Sequence, residues 1–191
     1  MGENAEDIAL LERVGQGDES ALIMLMARYK EALFRFAFRY LGNASDSQEV
    51  VEDTFFRVYK NAYRFTPKAT VKTWIFAIIL NLCRDRLRKA EREKQRILTI
   101  ESEKLELENI DSGASNPAVE NQYRDDLRRV QACIQKLPEK LKFPFIFCVL
   151  EDHSYDECAL VLNTNRKTVE TRIYRARKLM KSELLEMREK V

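Results

Sequence analysis

Residues 155–180 read YDECALVLNTNRKTVETRIYRARKLM, which predicts a short helix, a three-residue turn and a second helix. Ala159 falls inside the first helix, where a second helix can cross closely only over a small side chain. Asn163 falls in the turn, where a positive φ is often needed and asparagine is the best residue after glycine. Val169 then packs back onto Ala159, as in a helix-turn-helix unit. The apolar seam of this unit is completed by Leu160, Leu162, Ile173, Ala176 and Met180.

The outward face of the second helix is basic. Between Arg166 and Lys181 there are seven basic residues and one acid, Glu170. A major groove admits one such helix, whose N-terminal residues reach base edges while Arg and Lys neutralise phosphates. The pattern favours DNA recognition over the alternative, a helical hairpin with a solvated basic face.

The composition of the whole chain indicates an all-α protein. Its 191 residues include only 5 Gly and 4 Pro, too few for the many tight turns of an all-β chain. The net charge of +2 says little, but the charges fall in blocks. Residues 84–96 hold seven basic and three acidic residues, whereas residues 101–126 hold eight acidic and two basic ones. Two cationic segments separated by an acidic one suggest two units and a linker.

Apolar periodicity places four helices in the first half, over residues 7–14, 20–41, 45–63 and from 71 past 88. Ser45 or Asp46 is expected to cap the third of them. We therefore predict two small helical domains, a four-helix bundle over 1–96 and a helix-turn-helix domain over 119–191. A flexible acidic linker over 97–118 joins them.

The second half is predicted to contain further helices around the helix-turn-helix unit. One is expected over 123–137, and Pro138 is expected at the first position of the next. An apolar helix ending at Leu150 accommodates Pro144 only if it begins at Lys142 or Phe143. Ser154, with Glu157 three residues on, has the sequence of a capping box.

Several classes of protein are disfavoured. The four cysteines show no CxxC spacing and are expected to be reduced, buried thiols of a cytoplasmic protein. Apolar runs such as Ile75–Leu80 are far shorter than the roughly 18 residues of a membrane span, so no membrane insertion is expected. With one histidine, no Walker loop and no GxGxxG motif, we expect no enzyme and no cofactor. Cys148, His153 and Cys158 lack a fourth ligand, which disfavours a zinc site.

Residues 137–180 resemble region 4 of the bacterial sigma-70 family. Leu137-Pro138 is similar to the family's "LP", Ser154–Ala159 to "SYxEIA" and Thr168–Arg177 to "TVxxRxxRAR". In the first half, 46–59 is similar to "DxxDLVQETFLRVW" and 73–88 to "TWLYRIAxNxxxDxLR" of region 2. No region 3 fits between the halves, so the chain resembles a sigma factor of the extracytoplasmic-function (ECF) type.

The sequence departs from the family pattern at a few positions. Asn163 replaces the usual Gly of the turn, and Glu170 stands where Lys or Arg is common. Ala77 replaces a usual Arg in the helix that would separate the DNA strands, and Phe143-Pro144 replaces a more polar stretch. For Glu170 and Ala77, the resemblance does not fix the individual DNA contacts.

The resemblance implies a protein that lends promoter specificity to core RNA polymerase and helps to open the DNA. Its region 2 helix implies a polymerase-binding surface made of Asp46, Glu49, Glu52, Asp53, Phe56 and Arg57. Recognition and melting of the −10 element is implied for Phe65, Lys68, Lys72, Trp74, Asn81, Arg84 and Arg88. Recognition of the −35 element is implied for Arg166, Lys167, Thr168, Glu170, Thr171, Arg172 and Arg175.

Other partners also follow from the resemblance. They are double- and single-stranded promoter DNA, the polymerase flap at helix 142–150 and an anti-sigma factor, expected to be membrane-tethered. The alternative from the residues alone is a helix-turn-helix regulator that acts without polymerase, but that leaves the region 2 similarity unexplained.

Overall fold

The computed structural model describes residues 2–67, 69–101 and 118–189, and describes side chains for these residues apart from 3, 97–101, 118–126 and 187–189. Within these ranges the regular structure is entirely helical, which confirms the predicted all-α class. The predicted linker lies for the most part outside the described residues.

Eight α-helices are found in the described ranges. They are α1 (Gly2–Gly15), α2 (Glu19–Leu41), α3 (Ala44–Asn61), α4 (Val71–Glu101), α5 (Ala118–Lys136), α6 (Glu139–Phe145), α7 (Tyr155–Val161) and α8 (Arg166–Glu189). A 3₁₀ turn follows α3 at Ala62–Arg64, and a π-helix follows α6 at Ile146–Leu150.

Side chains close to the helix ends fix most of the boundaries. The Asp18 side chain accepts a hydrogen bond from the Ala21 N–H and caps α2, while Gly42 ends that helix with a φ of 78°. The predicted cap of α3 at Ser45 or Asp46 is wrong. Asn43 caps this helix instead, because its side chain accepts from the Asp46 N–H.

Pro144 lies inside α6 rather than near its start, so the predicted beginning at Lys142 or Phe143 is wrong. The helix starts at Glu139, with Pro138 as its N-cap and not at the first helical position. Proline cannot donate a hydrogen bond to the carbonyl four residues back, and beyond Pro144 the helix widens into the π-helix.

The first half buries the apolar faces of α1 to α4 against one another. The large and fully buried side chains here are Leu11, Leu25, Leu33, Phe36, Tyr40, Ile75, Phe76, Ile79 and Leu80. One carboxylate enters this core, because Asp7 is 2% exposed and accepts hydrogen bonds from Arg28 and Tyr29. Such partners are what a buried charge requires.

The two halves of the chain pack against each other through one aromatic cluster. Phe36 of α2 contacts Phe76 of α4 and Phe143 of α6, with ring centroids 5.7 Å apart in both pairs. Phe76 also meets Phe147 at 5.2 Å, and Phe147 stacks on His153 at 4.0 Å. We call these five rings the aromatic interface. The predicted pair of helical units therefore forms a single closed arrangement, which the sequence did not indicate.

Polar contacts surround the aromatic interface. Gln131 and Gln135 of α5 donate hydrogen bonds to the carbonyls that end α2, including the Arg39 carbonyl at 3.2 Å and 2.9 Å. The Arg39 guanidinium in turn pairs with Glu151. Side chains from the second half thus satisfy backbone groups that a helix end leaves without partners.

All four cysteines are buried free thiols, as predicted. In the part of the chain that the structure describes, no helix combines the length and the low charge that crossing a bilayer requires.

Candidate nucleic-acid interface

The helix-turn-helix unit has the predicted geometry. Asn163 adopts a φ of 48°, and Ala159 and Val169 are both buried between α7 and α8. The Thr164 N–H donates to the Ala159 carbonyl at 2.9 Å and closes the turn. Leu160 does not join the apolar seam, since it is 57% exposed. It follows Ala159 on a two-turn helix and therefore points away from α8.

The exposed start of α8 forms a basic concave surface. Five of the predicted −35 residues line an open concavity of about 300 Å³ together with Asn165. These five are Lys167, Thr168, Thr171, Arg172 and Arg175. The side chains have no acidic neighbour among the residues lining this concavity, so it is suited to phosphate oxygens and base edges.

Two predicted −35 residues are engaged with each other. The Arg166 guanidinium lies 3.1 Å from Glu170 and 2.8 Å from Asp156. The hydrogen bond that Arg166 donates to Glu170 and the charge of Asp156 hold the pKa of Arg166 above its ordinary value. Thr168 has a local role, since its N–H and hydroxyl both donate to Asn165, the residue before α8.

Tyr174 was not among the predicted site residues. Its side chain is 71% exposed on α8, one helical turn beyond Thr171. Residues three apart share a helical face, so the spacing between Thr171 and Tyr174 was enough to place this aromatic side chain beside a predicted DNA-contacting residue. Tyr174 extends the basic surface with an apolar group.

The predicted −10 residues separate onto two faces of α4. Trp74 and Asn81, with Ile78 between them, follow one another at helical spacing and line a groove of about 300 Å³. Phe65 packs edge-on against Trp74 at 5.4 Å. The other residues that line this groove are Arg57, Asn61 and Arg64. Asn61 and Arg64 were missed because they belong to the end of α3 and the turn after it.

Lys72 and Arg84 lie on the face of α4 that meets the second half of the chain. The charge of Lys72 acts on His153 and Glu157, and Arg84 pairs with Glu139 of α6 at 2.7 Å. Residues 72, 76, 80 and 84 recur every four positions, so they share the face on which Phe76 enters the aromatic interface.

One further −10 candidate lies apart from the groove. Arg88 is exposed farther along α4, 3.7 Å from Asp85. Lys68 lies outside the described residues.

The predicted polymerase-binding residues occupy the exposed face of α3 and one of its edges. Asp46 and Glu49 both pair with Arg86 of α4, and Glu49 lies 2.8 Å from that guanidinium. The hydrogen bond to Asp46, and then the charges of Asp46 and Glu49, raise the pKa of Arg86. These two carboxylates therefore join α3 to α4, a contact that their spacing in the sequence did not reveal.

The rest of that face presents acids beside aromatic rings. Glu52 and Asp53 are exposed, and Phe56 is 57% exposed with the Lys60 ammonium 4.5 Å from its ring centroid. Tyr59 and Tyr63 are also exposed along this side. Exposed aromatics flanked by charges are typical of protein-binding surfaces.

In the described parts of the chain, no three His, Cys, Asp or Glu side chains form a group that could hold a metal ion. Cys148 and Cys158 do lie side by side, since the Cys158 thiol is hydrogen-bonded to Cys148, and this contact and burial raise its pKa. His153 is not part of such a group; its ring belongs to the aromatic interface.

Two segments of the chain, one in each half, match models of known protein families. Residues 25–93 match Sigma-70 region 2, and residues 127–180 match Sigma-70, region 4. The first range contains the α3 face and the groove at Trp74, and the second contains the helix-turn-helix unit.

Curated relatives match nearly the full length. The ECF RNA polymerase sigma-E factor of Haemophilus influenzae is 29% identical over 186 residues, which cover 96% of this chain and 98% of the relative. The ECF RNA polymerase sigma-E factor of Escherichia coli K12 is 29% identical over 182 residues, covering 93% of each chain.

Two solved structures have a fold similar to that of this chain. The structure of CnrH in complex with the cytosolic domain of CnrY is similar with a TM-score of 0.70 and 26% identity, covering 95% of this chain and 98% of that one. The sigma factor RpoE of Bartonella quintana, solved with the anti-sigma factor NepR, has the same fold at a TM-score of 0.63 and 21% identity. That likeness covers 84% of this chain and 94% of the other.

Proposed function

The chain belongs to the sigma-70 family, as a factor of the ECF type, and on this premise we propose that it binds core RNA polymerase and directs initiation at promoters with −10 and −35 elements. One observation carries the proposal. The regions that match the family in order, 25–93 and 127–180, each present a surface of the right chemistry. A helix-turn-helix regulator acting without polymerase uses only the second of them.

The second half is proposed to bind the −35 element as a duplex. Lys167, Thr171, Arg172 and Arg175 surround the concavity at the start of α8 and would face the major groove. A bidentate contact from one Arg to a guanine contributes roughly 1–3 kcal/mol of discrimination. Because Glu170 neutralises Arg166, we assign these two residues to shaping the surface.

The first half is proposed to hold the −10 element as a single strand. Opening the duplex unstacks a base at a cost of a few kcal/mol, which an enclosing polar and aromatic site recovers. The groove at Trp74 and Asn81 offers an indole, amides and two guanidiniums to such a base. Phe65 and Arg88 would contact the flanking strand, and Lys68, Lys72 and Arg84 complete the proposed set.

The exposed face of α3 is proposed to dock on polymerase. Glu52, Asp53 and Phe56 present exposed side chains to a partner, whereas Asp46 and Glu49 hold Arg86. Arg57 lines the groove at Asn81, so we place it at the border between polymerase and DNA.

The protein is not expected to catalyse a reaction of its own; it acts in the cytoplasm on the polymerase and its DNA. CnrH was solved bound to the cytosolic domain of CnrY. We extend this to the present chain as a partnership with an anti-sigma factor, expected to be anchored in the membrane.

Run-off transcription with purified core polymerase on genomic fragments tests the function and identifies the promoter. Specific transcripts that require the protein support the proposal. Retention of the protein by immobilised core polymerase separates it from the alternative regulator, which would bind DNA alone and leave polymerase unbound.

A pair of matched variants tests the α3 face. Phe56→Ala and Ile23→Ala each remove an exposed apolar side chain, 57% and 65% exposed respectively, from different helices. We expect Phe56→Ala to weaken polymerase binding at least fivefold and Ile23→Ala to leave it unchanged. Equal effects would place the docking surface elsewhere.

A further inference from the structure

His153 is the one histidine of the chain, and its ring lies between the two halves. It stacks on Phe147 with centroids 4.0 Å apart and planes 19° from parallel. The edge-on ring of Phe76, from α4, lies 4.8 Å from His153 and 5.2 Å from Phe147, so the three rings contact one another. The residue is 8% exposed. A titratable ring therefore fills the contact between α4 and the second half of the protein.

The polar surroundings of His153 do not compensate a positive charge there. Its Nδ1 is buried without a hydrogen-bond partner among the described residues. The ammonium of Lys72, on α4, faces it and opposes protonation, while Asp152 and Glu157 from its own half favour it. Glu157 is already engaged with Ser154.

The charged and neutral forms of the His153 ring are stable in different surroundings. A neutral imidazole packs against the two phenyl rings as an apolar body, but an imidazolium buried there loses its hydration. Separating the halves removes Phe76 and Lys72 from the ring and lets water reach it. We propose that protonation of His153 drives the two halves apart, so that mild acid converts the closed arrangement into an open one.

Opening also releases the residues that the closed arrangement engages across the contact, Arg84 from Glu139 and Arg39 from Glu151. The conformational inference does not depend on the proposed function, since it concerns the distance between two parts of one chain. Its consequence for transcription does depend on it, because Arg84 is a proposed −10 residue.

The sign and size of the effect follow from linkage. Burial, and then the charge of Lys72, lower the pKa of His153 from 6.5 to about 4 in the closed form. The open form, with an ordinary pKa, binds the proton more tightly, so the closed form is favoured above pH 6.5 and loses ground as the pH falls toward 4. The open-to-closed ratio is expected to rise about tenfold between pH 7.5 and pH 5.5.

Energy transfer between two dyes measures the opening directly. Ser20→Cys on α2 and Ser182→Cys on α8 place exposed thiols on the two halves, while the four native cysteines are buried. The full chain labelled at these positions is titrated from pH 7.5 to 5.5 at constant ionic strength. We expect transfer efficiency to fall with pH, following a single proton.

His153→Phe is the matched control, because it keeps an aromatic ring in the interface and removes the titration. This variant is expected to keep its high transfer efficiency throughout the range. An equal response in the two proteins, or no response in either, overturns the proposal.

Far-UV circular dichroism on the same samples distinguishes opening from unfolding. Unchanged helicity during the fall in transfer supports separation of folded halves. Loss of helicity in step with the fall overturns it, because His153 would then act on the stability of its own half alone.

Discussion

The Arg84 guanidinium of α4 lies 2.7 Å from the Glu139 carboxylate of α6, and this ion pair joins the two halves beside the aromatic interface. Arg84 is one of the residues proposed to contact the −10 strand. The closed arrangement therefore sets a carboxylate where a DNA phosphate would bind. Contacts between the halves and contacts with DNA compete for the same cation.

Glu139→Gln is expected to raise affinity for single-stranded DNA about two- to fivefold at low salt, because exposed ion pairs contribute about 0.2–1 kcal/mol. Fluorescence anisotropy with a labelled oligonucleotide measures the change. Glu31→Gln is the control, since it removes the same charge from an ion pair with Arg35 inside the first half. Identical gains in the two variants would show a general charge effect and contradict the competition.

The turn at Asn163 gives a test of backbone conformation. Asn163→Ala is expected to lower the free energy of unfolding by about 1 kcal/mol, because alanine lacks the short polar side chain that lets asparagine tolerate a φ of 48°. Asn163→Gly should leave it unchanged or slightly higher, since glycine tolerates that φ. Urea unfolding of both variants checks this. An alanine variant as stable as the glycine variant would mean that the turn relaxes without strain.

Features that depend on neighbours within four residues were predictable from the sequence. The capping box at Ser154 and Glu157, the cap at Asp18 and the left-handed Asn163 are all of this kind. The wrong prediction for the N-cap of α3 also concerns residues that are close in the sequence. Gly42 alone ends α2 and leaves Asn43 free to cap the next helix.

Contacts between residues that are distant in the chain could not be predicted from the sequence. Arg86 is 40 residues from Asp46, and Arg84 meets Glu139 across the linker, so no spacing rule announces either contact. The separation of the −10 candidates onto two faces of α4 could have been predicted from the sequence. Trp74 and Asn81 share one helical face, while Lys72 and Arg84 share another, and a projection of α4 separates them.

The capping box links stability to pH. Ser154→Ala is expected to cost about 1 kcal/mol of unfolding free energy near neutral pH, because the N-terminus of α7 loses its cap. Burial pushes the pKa of Glu157 upward, but hydrogen bonds from the Ser154 N–H and hydroxyl outweigh it and lower that pKa below 4.5. Stabilisation by this carboxylate is thus present above pH 4.5 and lost as the pH falls through the lowered pKa.

The difference between the wild type and Ser154→Ala should therefore shrink in acid. Thermal unfolding at pH 7 and at pH 3.5 measures it in both proteins. A difference that stays constant with pH would show that Glu157 does not contribute through Ser154.

The salt dependence of DNA binding tests the surface of α8. Arg175→Ala is expected to weaken binding to duplex promoter DNA and to reduce the slope of log K against log salt by about 0.9, the value for one lost phosphate contact. Arg177→Ala is the matched control on the same helix. Its guanidinium lines a different cavity with Met180 and Leu184, away from the concavity at Lys167 and Thr171. We expect Arg177→Ala to retain the wild-type slope. If both variants lose the same slope, α8 attracts DNA by its overall charge; if neither does, the duplex lies on another face of the domain.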